Sequence, residues 1–310
     1  MSIEPIVPNA IEQIKASRRT RQSGLQKAFM LMNYVFFALL SLMMVYPFWH
    51  VLMYSFSDVT LSAAGGLFLL PRGFTTATYE SVFASPLIWS SFRISVTVTL
   101  AGTFLGVLLT ALTAYPLSKK RLRFGGVVLF LVFFTMLFSG GMIPSYLLVK
   151  RLKWLDSINA LIFPGLLSAY NVIVMKSFFA SLPESLEESA RIDGANDILI
   201  FFMIILPLSK AVLATIALFI AVVYWNDYFS TVIYITTKSK WSMQAVLREM
   251  LTNTTSAMRN AGVDINQTAK MSSETIKSAT VIIATVPILV VYPFLQKHFV
   301  KGVMLGSIKG

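Results

Sequence analysis

The 310-residue sequence has no cysteine, only two histidines, and charge on only 13% of its positions. Without thiols it can form neither disulfides nor thiolate metal sites. His50 and His298 lie far apart in the chain, so each reads as a membrane-interface residue rather than a ligand. Domains folded in water carry about 25% charged residues, whereas 56% of the residues here are hydrophobic. No G-x-x-x-x-G-K-[ST] phosphate loop occurs, and Gly302-x-x-x-Gly306 followed by Lys309 has the wrong spacing for one. No internal repeat of the kind an inverted-repeat carrier would show is evident.

What is present is long apolar sequence. Runs of roughly 20 or more mainly apolar residues cover about 29–56, 94–115, 124–148, 158–180 and 201–225, and a shorter one covers about 279–296. About 20 apolar residues span the hydrocarbon core as a helix, and lipid leaves backbone groups no partners outside the segment. The expectation is an all-α integral membrane protein with six transmembrane helices, spanning 29–296 between a basic tail at 1–28 and a short tail at 297–310. Ionisable groups are nearly absent from the interiors of the runs; Arg93, Asp227, Lys277 and His50 fall at ends. Intramembrane charge marks ion and proton paths, so its absence weighs against a proton-coupled carrier. It weighs equally against an intramembrane hydrolase, which needs a clustered nucleophile and base or a metal.

The cations set an orientation. Lys15, Arg18, Arg19, Arg21 and Lys27 precede the first run, with no small-residue cleavage site after it, so the N-terminus is expected to stay in the cytoplasm uncleaved. The inside segments are then 1–28, 116–123, 181–200 and 297–310. With Lys176 and Lys210 at the edges they hold 15 Lys and Arg, against 11 outside. Lys150, Arg151 and Lys153, in a short outer loop, run against this trend. A net charge of +12 would suit nucleic acid, but these cations are divided among membrane-flanking loops and form no single stripe.

The first outer loop, about 57–92, is turn-rich, with a short helix expected near Tyr79–Phe83. The last, about 226–278, carries a helix near Met243–Leu251 and then a polar stretch. In the second run, Gly102-x-x-x-Gly106 with Ala101, Ala111 and Ala114 permits close helix packing. Packing within the chain and a face for a partner subunit both fit that pattern.

The segment between the fourth and fifth runs is charged and broken by glycine. Ser181-x-x-Glu184 matches a capping box, so a helix is expected from about 181. Leu182, Leu186 and Ala190 form one stripe, with Glu184, Glu187, Glu188 and Arg191 on the other side. Gly194 supplies a helix-ending left-handed position. A second helix is expected from Asn196 or Asp197, kinked by Pro207. Amphipathic helices that lie on lipid usually present Lys and Arg; this one presents glutamates, which suits a protein groove.

Glu188, Ala190, Asp193, Gly194, Ala195, Phe201, Ile204, Leu206 and Pro207 match in register the EAA loop of permease subunits in bacterial ABC importers, which the segment resembles. Ser189 replaces the middle alanine, and Ala211 stands where many carbohydrate-type members have a further proline. Trp225–Asn226–Asp227 after the fifth run and the ending Tyr292–Lys297, Phe299–Gly302 and Gly306–Gly310 are similar to the carbohydrate group. That group includes the smaller maltose permease subunit and the subfamily serving complex or acidic oligosaccharides.

The resemblance implies a type I importer permease fold with 181–207 as a coupling loop. Its implied ATPase-contacting residues are Glu187, Glu188, Ser189, Ala190, Asp193, Gly194 and Ala195. It also implies that the chain is no enzyme and binds no cofactor, ATP and Mg lying on a dimer of separate ATPase subunits. A second permease chain and an extracytoplasmic binding protein would complete the machine and deliver an oligosaccharide. Sugar hydroxyls and ring faces call for polar and aromatic groups. Tyr224, Trp225, Asn226 and Tyr228, with Tyr170 and Asn171 deeper, are candidates for that path, and interface-belt packing is the competing reading. Lys150, Arg151 and Lys153 would attract an anionic oligosaccharide such as a uronate chain. A permease for another solute is the alternative within the family.

Overall fold

A computed structural model describes residues 24–62, 65–252 and 273–307. The basic residues before Gly24 and the polar stretch 253–272 lie outside the described residues. The main helices are α1 (Gly24–Ser55), α2 (Ala77–Ala84), α3 (Pro86–Leu117), α4 (Gly125–Leu137), α5 (Met142–Arg151), α6 (Asn159–Ile162), α7 (Ala169–Ala180), α8 (Ser185–Ile192), α9 (Asp197–Ile200), α10 (Lys210–Asn226), α11 (Phe229–Tyr234), α12 (Met243–Thr252) and α13 (Ser273–Ser307). No strand occurs among the described residues.

Three helices, α1, α3 and the Glu274–Val291 part of α13, are each long and apolar enough to cross a bilayer. The other runs are broken, each at an identifiable cause. The third, expected as one helix over 124–148, divides into α4 and α5 with a 111° bend. Gly140–Gly141 lies at the break, and Gly141 has φ +84°. The fourth divides into α6 and α7 around Pro164–Gly165, because proline offers no N–H to continue the ladder. The twelve residues of α7 reach only about 18 Å.

The fifth enters through α9 and continues as a π turn, Phe201–Ile205, and one short turn, Leu206–Leu208. It then bends by 82° into α10. The kink expected at Pro207 is thus a sharp elbow at Ser209. The short helices expected near Tyr79 and Met243 are α2 and α12. The second and sixth helices run past their apolar runs, α3 beginning at Pro86 and α13 ending at Ser307.

The main core lies where α3, α7 and α10 meet the start of the fifth segment. Val98, Ala114, Val172, Met175, Ile200, Ile205 and Ile216 fill it. Small residues on α3 let α10 approach: the Tyr224 ring occupies the notch at Gly102, and Ile220 sits over Gly106. The Gly-x-x-x-Gly pair therefore packs within the chain. A second cluster joins α2, α12 and α13 through Val82, Met243, Val246 and Ile276. Helix α1 keeps nearly all its side chains outside the bundle and buries only Tyr54 and Ser55.

Candidate functional site

Helix α8 begins at Ser185, one turn later than the capping-box pattern indicates. The Ser181 hydroxyl donates back to the Phe178 carbonyl at 2.7 Å and closes the preceding helix instead. Its end is as expected. Gly194 has φ +85°, its N–H donates to the Arg191 carbonyl, and the Ala195 N–H donates to the Ala190 carbonyl. This paired pattern is a Schellman motif, and it satisfies carbonyls that a helix end leaves open. One residue on, the Asn196 carboxamide oxygen accepts from the Leu199 N–H at 2.8 Å and caps α9. Two helices thus meet at a glycine elbow, each with its end closed.

The faces of α8 are not divided as the sequence pattern indicates. Glu187 turns inward and is buried, while Leu186 is exposed. Glu187 pairs with the Lys119 ammonium just beyond the end of α3. It also accepts from the Tyr115 hydroxyl at 3.4 Å and lies 3.7 Å from Arg191. The Lys119 ammonium stacks over the Tyr115 ring at 4.7 Å. Alongside, Asp197 Oδ1 lies 2.7 Å from both Arg121 and Arg191, joining α3, α8 and α9 through one carboxylate. The physical reason is local. α8 lies against the end of α3, and the cations there leave a carboxylate as the matching residue to bury.

The outward side carries Glu188, Ser189, Asp193 and Gly194, all exposed. Ala190 and Ala195 pack partly on the core. Ile192 is 86% exposed at the tip, an apolar side chain with nothing over it among the described residues. Sequence reasoning missed Ile192, Tyr115 and Lys119. The run Lys119–Arg123 was legible only as a topology signal, although a glutamate-rich segment on the same side offered it partners.

Replacing Glu187 by Gln keeps the shape and leaves Lys119 unbalanced. Because Lys119 retains some solvent contact, the expected cost is about 1–3 kcal/mol, below that of a fully buried pair. It is read as a lowered thermal midpoint, which the further change Lys119→Met partly restores. An unchanged midpoint for Glu187→Gln would show that the pair adds nothing.

The aromatic and amide candidates separate. Tyr170, Asn171 and Tyr224 line one cleft of about 360 Å³ with Phe219 and Ser168. Tyr170 is about half exposed there, its ring 6.3 Å from that of Phe219. Tyr224 is buried, and its hydroxyl donates to the Ile162 carbonyl at 2.6 Å. Trp225 is buried and donates to the Ala284 carbonyl at 3.1 Å, tying α10 to α13. Asn226 is exposed and bonds back to Val222, while Tyr228 lies beneath Arg248. Tyr224 and Trp225 therefore act as packing residues; Asn171 is buried as they are, and Tyr170 offers the accessible polar surface of the cleft.

Lys150, Arg151 and Lys153 are exposed, the first two in the last turn of α5, where cations oppose the helix dipole. The adjoining loop is fixed by Asp156, which accepts from the Thr236 and Thr237 N–H groups and pairs with Lys240 at 2.8 Å. The Lys240 ammonium and the Thr237 donors hold its carboxyl well below the usual range.

Comparison with known proteins gives consistent results. Residues 14–305 match the model of the binding-protein-dependent transport system inner membrane component. The chain is 44% identical over 284 residues to the polygalacturonan/rhamnogalacturonan transport system permease protein YtcP of Bacillus subtilis (strain 168), covering 92% of this chain and 99% of that one. It is 43% identical over 284 residues to Protein LplC of the same organism, covering 92% and 96%. A solved bacterial ABC transporter involved in the import of the acidic polysaccharide alginate contains a chain with TM-score 0.84 and 32% identity, covering 89% of this chain and 98% of that one.

Proposed function

The chain belongs to the binding-protein-dependent transport system inner membrane components, the permease parts of ABC importers, and from that premise we propose that it forms half of the path for an acidic oligosaccharide. The family is a transport component, not a catalytic subunit, and its relatives include carbohydrate permeases. The helix α8 with its Gly194 elbow carries the reading: it presents Glu188, Ser189, Ile192 and Asp193 to a groove of a separate ATPase, which holds ATP and Mg. Closure of an ATPase dimer moves this elbow and its counterpart on a second, different permease chain. The bundle then shifts between two packed arrangements that open to opposite sides. The N-terminus and the 116–123 and 181–200 segments lie in the cytoplasm, and a binding protein delivers substrate at the outer face.

Acidic substrate is favoured by the exposed Lys150–Arg151–Lys153 cluster and by relatives named for polygalacturonan/rhamnogalacturonan transport and alginate import. Tyr170 is the side chain assigned to the sugar, with Asn171 buried beside it in the same cleft. The test is purification with the native partner chains, followed by a screen of uronate and neutral oligosaccharides for stimulated ATP hydrolysis. Uronate chains should stimulate, and reversing all three charges (Lys150→Glu, Arg151→Glu, Lys153→Glu) should reduce that response at low salt by about tenfold or more, since charge steering weakens as salt rises. Stimulation by neutral sugars alone, or indifference to the reversal, would rule out the acidic reading. Failure to co-purify an ATPase with the wild-type chain would rule out the coupling assignment.

A further inference from the structure

A groove of about 440 Å³ lies beside the elbow, between the end of α3 and the start of the fifth segment. One end is cationic: Lys119, Arg121 and Arg123 line it. The other is apolar, formed by Leu112, Ile198 and Phe202. Ile198 is 70% exposed and Phe202 48%. The carboxylates at the groove do not balance its cations. Glu187 is taken by Lys119, and Asp197 is shared by Arg121 and Arg191. Arg123 has no carboxylate within ion-pair distance among the described residues; its guanidinium lies 5.3 Å from the Phe124 ring.

We propose that this groove binds the headgroup of an anionic phospholipid. The phosphodiester is held by Arg121 and Arg123, and an acyl chain runs along Leu112, Ile198 and Phe202. The inference rests on the cytoplasmic placement of 116–123 proposed above. Its grounds are charge complementarity and position. Basic pockets between helices on the cytoplasmic side suit such headgroups, and bidentate guanidinium groups match a phosphate. Because Arg121 also bonds Asp197, a bound phosphate competes with the carboxylate that joins α8 to α9. Lipid composition then biases the stiffness of the elbow.

The missing cysteines make the test direct. Ile198→Cys introduces a single thiol into this chain at the apolar end of the groove. The complete transporter carrying it is placed in nanodiscs of phosphatidylcholine alone or with about 30% phosphatidylglycerol, and maleimide labelling of this chain is timed. Phosphatidylglycerol is expected to slow labelling about fivefold or more, and Arg123→Gln to remove about fivefold of lipid affinity, as one cation near a charged membrane surface does. Arg123→Lys should retain most of the protection. A thiol at Leu67→Cys, in the outer loop, should label equally in both lipids.

Inorganic phosphate without the anionic lipid should give no protection; if it protects fully, the site takes free anions and the lipid assignment falls. Equal labelling in both lipids by a complex that still transports overturns the proposal while leaving the permease reading intact. A thiol blocked in both lipids shows that a protein subunit covers the groove, which overturns it as well.

Discussion

Gly102→Ala lowers the thermal midpoint of the purified complex, more than the same change at any other described helical glycine. A Cβ at Gly102 would lie 2.5 Å from the Tyr224 ring, where real contacts do not go. The ring cannot swing aside freely, because its hydroxyl is bonded to the Ile162 carbonyl at 2.6 Å. Either α3 and α10 separate, or the bond breaks and leaves a buried carbonyl without that donor. Overpacking and the lost bond together are expected to cost about 2–4 kcal/mol. Tyr224→Leu should relieve part of the clash, so the double variant falls short of the sum of the singles. Gly126→Ala, where a Cβ meets nothing within 4 Å, is the control and should be neutral or slightly stabilising. Equal midpoints for Gly102→Ala and Gly126→Ala would show that the notch is not a contact.

Gly194→Val acts in the opposite way, on function with the fold retained. A Cβ there meets nothing within 4 Å among the described residues, so the cost is conformational, from φ +85°. An L-residue in the left-handed region is strained by about 1–2 kcal/mol, enough to shift a conformer population roughly five- to thirtyfold. The elbow yields at 193–195, the two Schellman bonds are lost, and α8 changes its angle to the bundle. Uptake should fall about tenfold or more while the midpoint of the permease moves little, and ATPase co-purification should weaken. Gly194→Asn, which tolerates this φ, should keep most of the activity. Uptake and ATPase retention at wild-type levels in Gly194→Val would remove the elbow from the mechanism.

The elbow was legible because its determinants are local. A glycine after a short polar helix, then Asn196 at the start of the next, is chemistry within a few residues. The core helices were legible for the same reason, since lipid acts on each run separately. The breaks inside runs were not, although Gly140–Gly141 and Pro164–Gly165 stand in plain view. Hydropathy sums over a window and does not register where the ladder fails. Glu187 was misjudged as an outward residue because its partners, Tyr115 and Lys119, are about 70 positions away, and no periodicity within α8 reports them. Tyr224 and Trp225 were grouped with possible sugar contacts because aromatic amphiphiles serve packing and stacking equally well. The Gly102 notch and the Ile162 and Ala284 carbonyls separate the two uses.

The ties among Lys119, Glu187, Arg121, Asp197 and Arg191 make α8 an extension of α3 rather than a freely swivelling appendage. Helix α3 has 32 residues, so it is about 48 Å long. A tilt of about 5° imposed at one end of a rod that length displaces the other by about 4 Å. Tyr224, seated in its notch, obliges α10 to lean with it. Angular gain along one stiff rod would then carry a small movement at the α8 end to the opposite end of the bundle, with no chain of local rearrangements between.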